Sequence, residues 1–139
     1  MSLLGRYQES AALWSRLSRA LPDSIPVRIA YAWNLRAASR AEEAVRVLRE
    51  GLVSRDDPRL WDELARTLMA LGDRTGEAIE AARRGVELGH SDRTLTTLAR
   101  AQIAAGRIDS ASATRELIRD PDSLRAIDHL LAHAQGADR

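Results

Sequence analysis

The sequence contains no cysteine, no phenylalanine and, although 21 of its 139 residues are basic, no lysine. Without cysteine there are no disulfides, thiolate metal sites or thiol nucleophiles. That absence fits reducing and oxidising compartments equally, so the compartment stays open, with the cytoplasm as the default. Aromatic residues make up 4% of the chain, and strand formers are scarce, which argues against a β-rich core. No stretch approaches about eighteen uncharged apolar residues, and the opening MSLLGRYQES is too short an apolar run for a signal peptide. A soluble chain without a membrane span is therefore expected. Charge of one sign is lacking too: 20 acidic residues leave a net charge of +1. Polyanion binding draws its affinity from summed phosphate neutralisation, so nucleic acid is a poor candidate partner.

What is present is alanine, leucine and arginine, the composition of closely packed helices. The length is that of one domain. An all-arginine basic set is what a GC-rich genome yields by codon usage alone. It also matters chemically, because a guanidinium forks onto a carboxylate as an ammonium cannot.

Self-similarity organises the chain. Gly5, Ser39, Gly72 and Gly106 lie 34, 33 and 34 residues apart, and each precedes a small-residue helix, as in SRAEEAVRVL and GDRTGEAIEAA. Ser10, Ala44, Ala78 and Ala111 recur in that register, as do Leu17, Gly51, Gly85 and Ile118. A second helix family, VRIAYAWNLRAA, RLWDELARTLMAL and RTLTTLARAQIAA, carries Ala32, Ala65 and Ala99 in equivalent places. The unit is thus a helix pair. Start signals agree: a capping box at Ser39 and Glu42, proline after Asp57 and Asp120, and a cap at Ser91 or Asp92. Helices are predicted near 7–20, 26–38, 41–54, 59–71, 76–88, 93–105, 109–119 and 122–134. Gly85, deep inside one of them, costs about 1 kcal/mol relative to alanine. It reads as a contact where one helix backbone crosses another, closer packing offsetting that cost.

The pattern resembles the tetratricopeptide repeat. Trp61, Leu64, Ala65, Leu68, Gly72, Ala78 and Ala82 carry the match in the third unit, with one extra residue in GDRTG. Leu95, Leu98, Ala99, Gly106, Ile108 and Ala111 carry it in the fourth, and Tyr31, Ala32, Leu35, Ala44, Leu48 and Asp56 in the second. Arg28, Ser39, Arg115 and Arg119 depart from it. The resemblance covers nearly the whole chain and implies an all-α fold, a right-handed α-α superhelix of antiparallel helix pairs, as one domain over 1–139. Its parts are a half repeat 1–24, repeats 25–57, 58–91 and 92–120, and a capping helix 121–139 whose end, AHAQGADR, reads as a frayed tail.

No catalytic, cofactor or metal site is expected. Serine and threonine lack a nucleophile elbow or an S-x-x-K setting, and GDRTGE lacks the lysine and glycine spacing of a phosphate loop. His129 and His133 share a helix face, but that helix turns Leu124, Ile127 and Leu131 inward, which sends the imidazoles to solvent, and no third ligand stands at a recognisable spacing.

The resemblance implies a noncatalytic protein-interaction module in which the first helix of each pair lines a concave groove that holds a peptide or protein. By register the groove residues are Trp33, Arg36, Arg59, Asp62, Arg66, Met69, Arg93 and Arg100. Arg66 and Arg100 should stack as neighbouring forks, with Arg59 and Arg93 repeating the arrangement, and such a ladder suits an acidic partner. The competing reading pairs these arginines with Asp62, Glu63 and nearby acids as a solvated face, and packs Trp33 on the first helix. An RNA-binding helical repeat and a regulatory or docking domain of a larger enzyme are the alternative functions. The unpaired first helix is expected to expose Leu13 and Leu17, with Trp14 beside them, a stripe to be covered either by a helix that a larger protein supplies or by a second copy in a homodimer.

Overall fold

Serine side chains open the first two helices. Ser2 Oγ accepts from the Gly5 N–H at 3.1 Å and Ser24 Oγ from the Val27 N–H at 3.3 Å, starting α1 (Leu3–Ala20) and α2 (Ile25–Ala37). The computed structural model describes residues 2–137, and within them the chain is all-helical. The remaining elements are α3 (Ala41–Ser54), α4 (Pro58–Leu71), α5 (Thr75–Leu88), α6 (Asp92–Ala104), α7 (Ile108–Arg115) and α8 (Pro121–Ala137). Asp57 caps α4 ahead of Pro58, and Ser91 forms a reciprocal box with Thr94 at the start of α6.

Three expectations are corrected. Ser39 and Glu42 form no capping box: the residue before α3 is Arg40, with no side-chain cap. Ser39 instead takes a left-handed backbone at φ 64°, as Gly72 does at 80° and Gly106 at 76°. At these three positions the register marks the residue that terminates the first helix of a pair, where a left-handed residue lets the next N–H reach back; Gly5, expected to precede a helix in the same register, lies inside α1 instead. Arg40 N–H donates to Leu35 O and Arg107 N–H to Gln102 O, both at 2.8 Å. The second correction is α7, which stops at Arg115 and not near 119: the Leu117 and Ile118 N–H groups reach only three residues back, to Thr114 O and Arg115 O, and this tightened turn leaves Ile118 buried. The third is the tail: residues 132–137 continue α8, and the last two residues lie outside those described.

Every helix packs against its neighbours in sequence, and α2, α4, α6 and α8 also pack in succession; among the described residues no other pair of helices brings its backbones together, although the Arg49 and Glu77 side chains link α3 to α5. The recurring small residues explain the closeness. Ala32, Ala65 and Ala99 on the even helices and Ala44, Ala78 and Ala111 on the odd ones are all fully buried. Between them Leu35, Leu48, Leu60, Leu68 and Ile79 fill the seam, each contributing about 1.5–3 kcal/mol through burial. A second cluster, built on Leu95, Ile118, Ile127 and Leu131, closes the C-terminal end, and Val86 packs against both. No described helix is long and apolar enough to cross a membrane.

Gly85 does lie against the backbone of α4, as expected, but glycine is not required there. A methyl would sit 3.6 Å from Asp62 N and 3.7 Å from Pro58 O, which is ordinary contact. The tight site is one turn later, where a Cβ on Gly89 would stand 2.9 Å from the Pro58 ring carbons. At Gly51 a Cβ would overlap the Arg28 side chain, whose guanidinium donates to Val47 O at 2.8 Å. Gly85→Ala should therefore raise stability by about 0.5–1 kcal/mol through helix propensity. Gly89→Ala should lower it by about 1–3 kcal/mol, because the proline ring cannot yield. Urea midpoints of the two variants check both signs; two losses would mean that the α4–α5 crossing is tighter than described.

Candidate functional site

Residues that α2, α4 and α6 turn to one side form a charged cluster. From α2, Arg36 reaches Glu63 on α4 at 3.1 Å and donates to Thr67 Oγ1 at 3.2 Å. From α6, Arg93 reaches Asp62 at 3.3 Å, and Arg66, one turn along α4, reaches the same carboxylate oxygen at 3.2 Å. Asp62 and Glu63 are only 3% and 4% exposed. Two neighbouring carboxylates are held out of water by guanidiniums drawn from three helices, and contact between α2, α4 and α6 makes that convergence possible.

The predicted residues divide accordingly. Arg36, Asp62, Arg66 and Arg93 come together. Arg59 does not join them: it turns back to Asp57, and its Nη2 donates at 3.0 Å. Arg100 is exposed and has no ion pair among the described residues. Met69 is half-buried against the core. Trp33 remains 44% exposed, with Tyr7 of α1 packed edge-on at a centroid distance of 5.6 Å, so it both touches the first helix and faces outward. The expected ladder of open arginine forks is therefore replaced, at Arg36, Arg66 and Arg93, by an interleaved cluster with Asp62 and Glu63. Glu63 was outside the predicted groove set but inside the competing reading that paired these arginines with acids, and the pairs to Asp62 and Glu63 follow that reading; Thr67 was in neither, and its signal was the four-residue spacing that stacks it on Glu63 along α4.

Hydrogen bonding in the cluster is incomplete. Asp62 Oδ1, Glu63 Oε1 and Arg66 Nε are the three buried side-chain polar atoms without a hydrogen-bond partner among the described residues. Glu63 Oε1 and Arg66 Nε lie within ion-pair distance of opposite charge, but without the alignment a hydrogen bond needs.

At the edge of this face the Asp57 carboxyl is held below the ordinary carboxylate range by hydrogen bonds from the Arg59 guanidinium, against the opposing effect of burial, with the Arg59 backbone N–H adding to the lowering. A carboxyl depressed in the folded state adds stability that is complete above its unfolded value, about 4, and is lost as pH falls through the folded value. Asp57→Asn keeps the helix cap but removes this linkage. Wild type should exceed the variant in urea midpoint at pH 6, with the gap closing toward pH 3; a constant gap would remove Asp57 from the acid transition.

The opposite side carries a cavity of about 730 Å³ between α3 and α5, floored by Trp61, Leu64 and Leu68 and edged by Val53. Sequence reasoning had not singled it out. Its rim is bridged by Arg49 and Glu77 at 3.5 Å, and none of the orphaned polar atoms lies there. His129 and His133 are exposed on α8, and no group of three side chains able to share a metal occurs among the described residues. No protein-family model matches the chain, and no curated protein matches it.

Proposed function

We propose that this chain is a noncatalytic interaction module of the tetratricopeptide-repeat type, whose helix pairs stack into a right-handed superhelix and whose even-numbered helices line a hollow that holds an extended segment of a partner protein. The helix pairs in register and the contact order restricted to near neighbours support the architecture. One observation carries the function: the cluster of Arg36, Asp62, Glu63, Arg66 and Arg93 gathers on the even helices, flanked by exposed Trp33 and unpaired Arg100. Exposed aromatic and arginine side chains are the residue types that anchor protein interfaces. Counting Arg100, four guanidiniums face two carboxylates, so the hollow favours a partner segment that carries acidic side chains.

Peptides selected from a random displayed library against the wild-type protein test this reading. Trp33→Ala or Arg100→Ala should weaken the selected peptides about tenfold or more, whereas Val53→Ser on the opposite side should leave them unchanged. The reverse pattern would move the site to the α3–α5 cavity. The exposed Leu13 and Leu17 of α1 make a homodimer through that helix part of the same proposal, read by light scattering of wild type against Leu13→Asp.

A further inference from the structure

Buried polar atoms in folded proteins are almost always hydrogen-bonded, so a group of exceptions asks for a cause. Here the exceptions are neither scattered nor of one kind. Asp62 Oδ1 and Glu63 Oε1 are acceptors, Arg66 Nε is a donor, and all three belong to one turn of α4 on the side facing Arg36 and Arg93. The carboxylates are more than nine-tenths buried. Their complement is a group that both donates and accepts.

Charge narrows the choice. Three guanidiniums already crowd two carboxylates, so a further cation is repelled; an anion can accept from Arg66 but has nothing to donate to Asp62 or Glu63. A neutral amide satisfies both demands, with its N–H toward a carboxylate and its C=O toward Arg66 Nε. Among the side chains paired with these carboxylates, Arg93 is the most exposed, at 68%, and holds Asp62 by a single contact at 3.3 Å; when it swings out, Arg66 still faces the same Asp62 oxygen at 3.2 Å, so the buried carboxylate keeps a counter-charge.

We infer that Asp62, Glu63 and Arg66 form a main-chain recognition subsite, which takes one peptide group of an extended segment when Arg93 swings aside. This rests on the peptide-holding reading of the same face and adds what is read there: backbone, while Trp33 and Arg100 meet side chains. Affinity for a peptide then depends on one particular amide hydrogen, and a short neutral peptide binds without any acidic residue.

The probe is acetyl-trialanine methylamide, titrated to high millimolar concentration against isotopically labelled full-length protein, following the Arg66 Nε–H resonance and the side-chain carboxyl carbons of Asp62 and Glu63. Saturable shifts at these three groups are expected, with an affinity about tenfold weaker for the analogue N-methylated on its backbone, since a hydrogen bond to a charged group is lost. Asp62→Asn should weaken the probe about tenfold and Arg93→Ala should leave it equal or tighter. The N-methyl comparison uses only wild-type protein, so it stands even if a variant folds poorly. No saturable shift, or equal shifts from both probes, means that water alone serves these atoms and overturns the inference. The broader reading falls separately, if library-selected peptides ignore Trp33 and Arg100.

Discussion

Glu63→Ala is expected to lower stability by about 3 kcal/mol, near the lower end of what breaking a buried ion pair costs. The reason is the group left behind. Arg36 is only 20% exposed, and without Glu63 its guanidinium keeps just the Thr67 hydroxyl, which already donates to the Glu63 backbone carbonyl at 2.8 Å. Partial exposure of Arg36 allows some rehydration, which is why the upper end is not expected. Replacing both partners, Arg36→Met with Glu63→Leu, removes charge and counter-charge together, and such exchanges come out near neutral or stabilising. The double variant should therefore regain most of the loss, a strong coupling in a double-mutant cycle. Urea unfolding at pH 7 decides it: additive losses would show that the pair is not a unit and that the cluster is a set of independent surface contacts. If the coupling holds, the double variant also separates roles, because it folds while lacking part of the proposed peptide face.

The second large effect is at the other end of the chain. Ile127→Ala should cost about 3 kcal/mol, since Ile127 is fully buried in the cluster with Leu95, Ile118 and Leu131 and its removal leaves a cavity. The distribution of the loss matters more than its size. Among the described residues α8 touches only α6 and α7, and α7 has only eight residues. In a stacked array each unit is stabilised by its neighbours, so damage to the last one is felt locally. Hydrogen exchange should show amides of α7 and α8 losing protection while α2 through α5 keep theirs. Equal loss in α2 and α8 would mean that the chain unfolds as one indivisible body and would count against the stacked arrangement.

The helices were legible because their signals are local. Proline after Asp57, the Ser91 cap and the recurrence of small residues each act within one turn or at one crossing, so a period near 34 residues was enough to place eight helices and to set Ala32, Ala65 and Ala99 in equivalent places. Ser39 was misread because two local rules compete for it: a serine three residues before a glutamate suits a helix start, yet the register of Gly72 and Gly106 put it in the left-handed position that ends the preceding helix.

The chain itself determined which residues would share a side of each even helix, since helical period alone sets Arg36, Asp62, Arg66, Arg93 and Arg100 on their faces. Only the packing of α2 against α4 and of α4 against α6 decided which charges would meet. Arg36 and Glu63 are 27 positions apart in sequence, Asp62 and Arg93 31, and whether an arginine ends beside a carboxylate or in solvent depends on the offset between neighbouring helices. Coulomb energy changes steeply over the few ångströms by which that offset can vary, and no periodicity in the sequence fixes distances that finely.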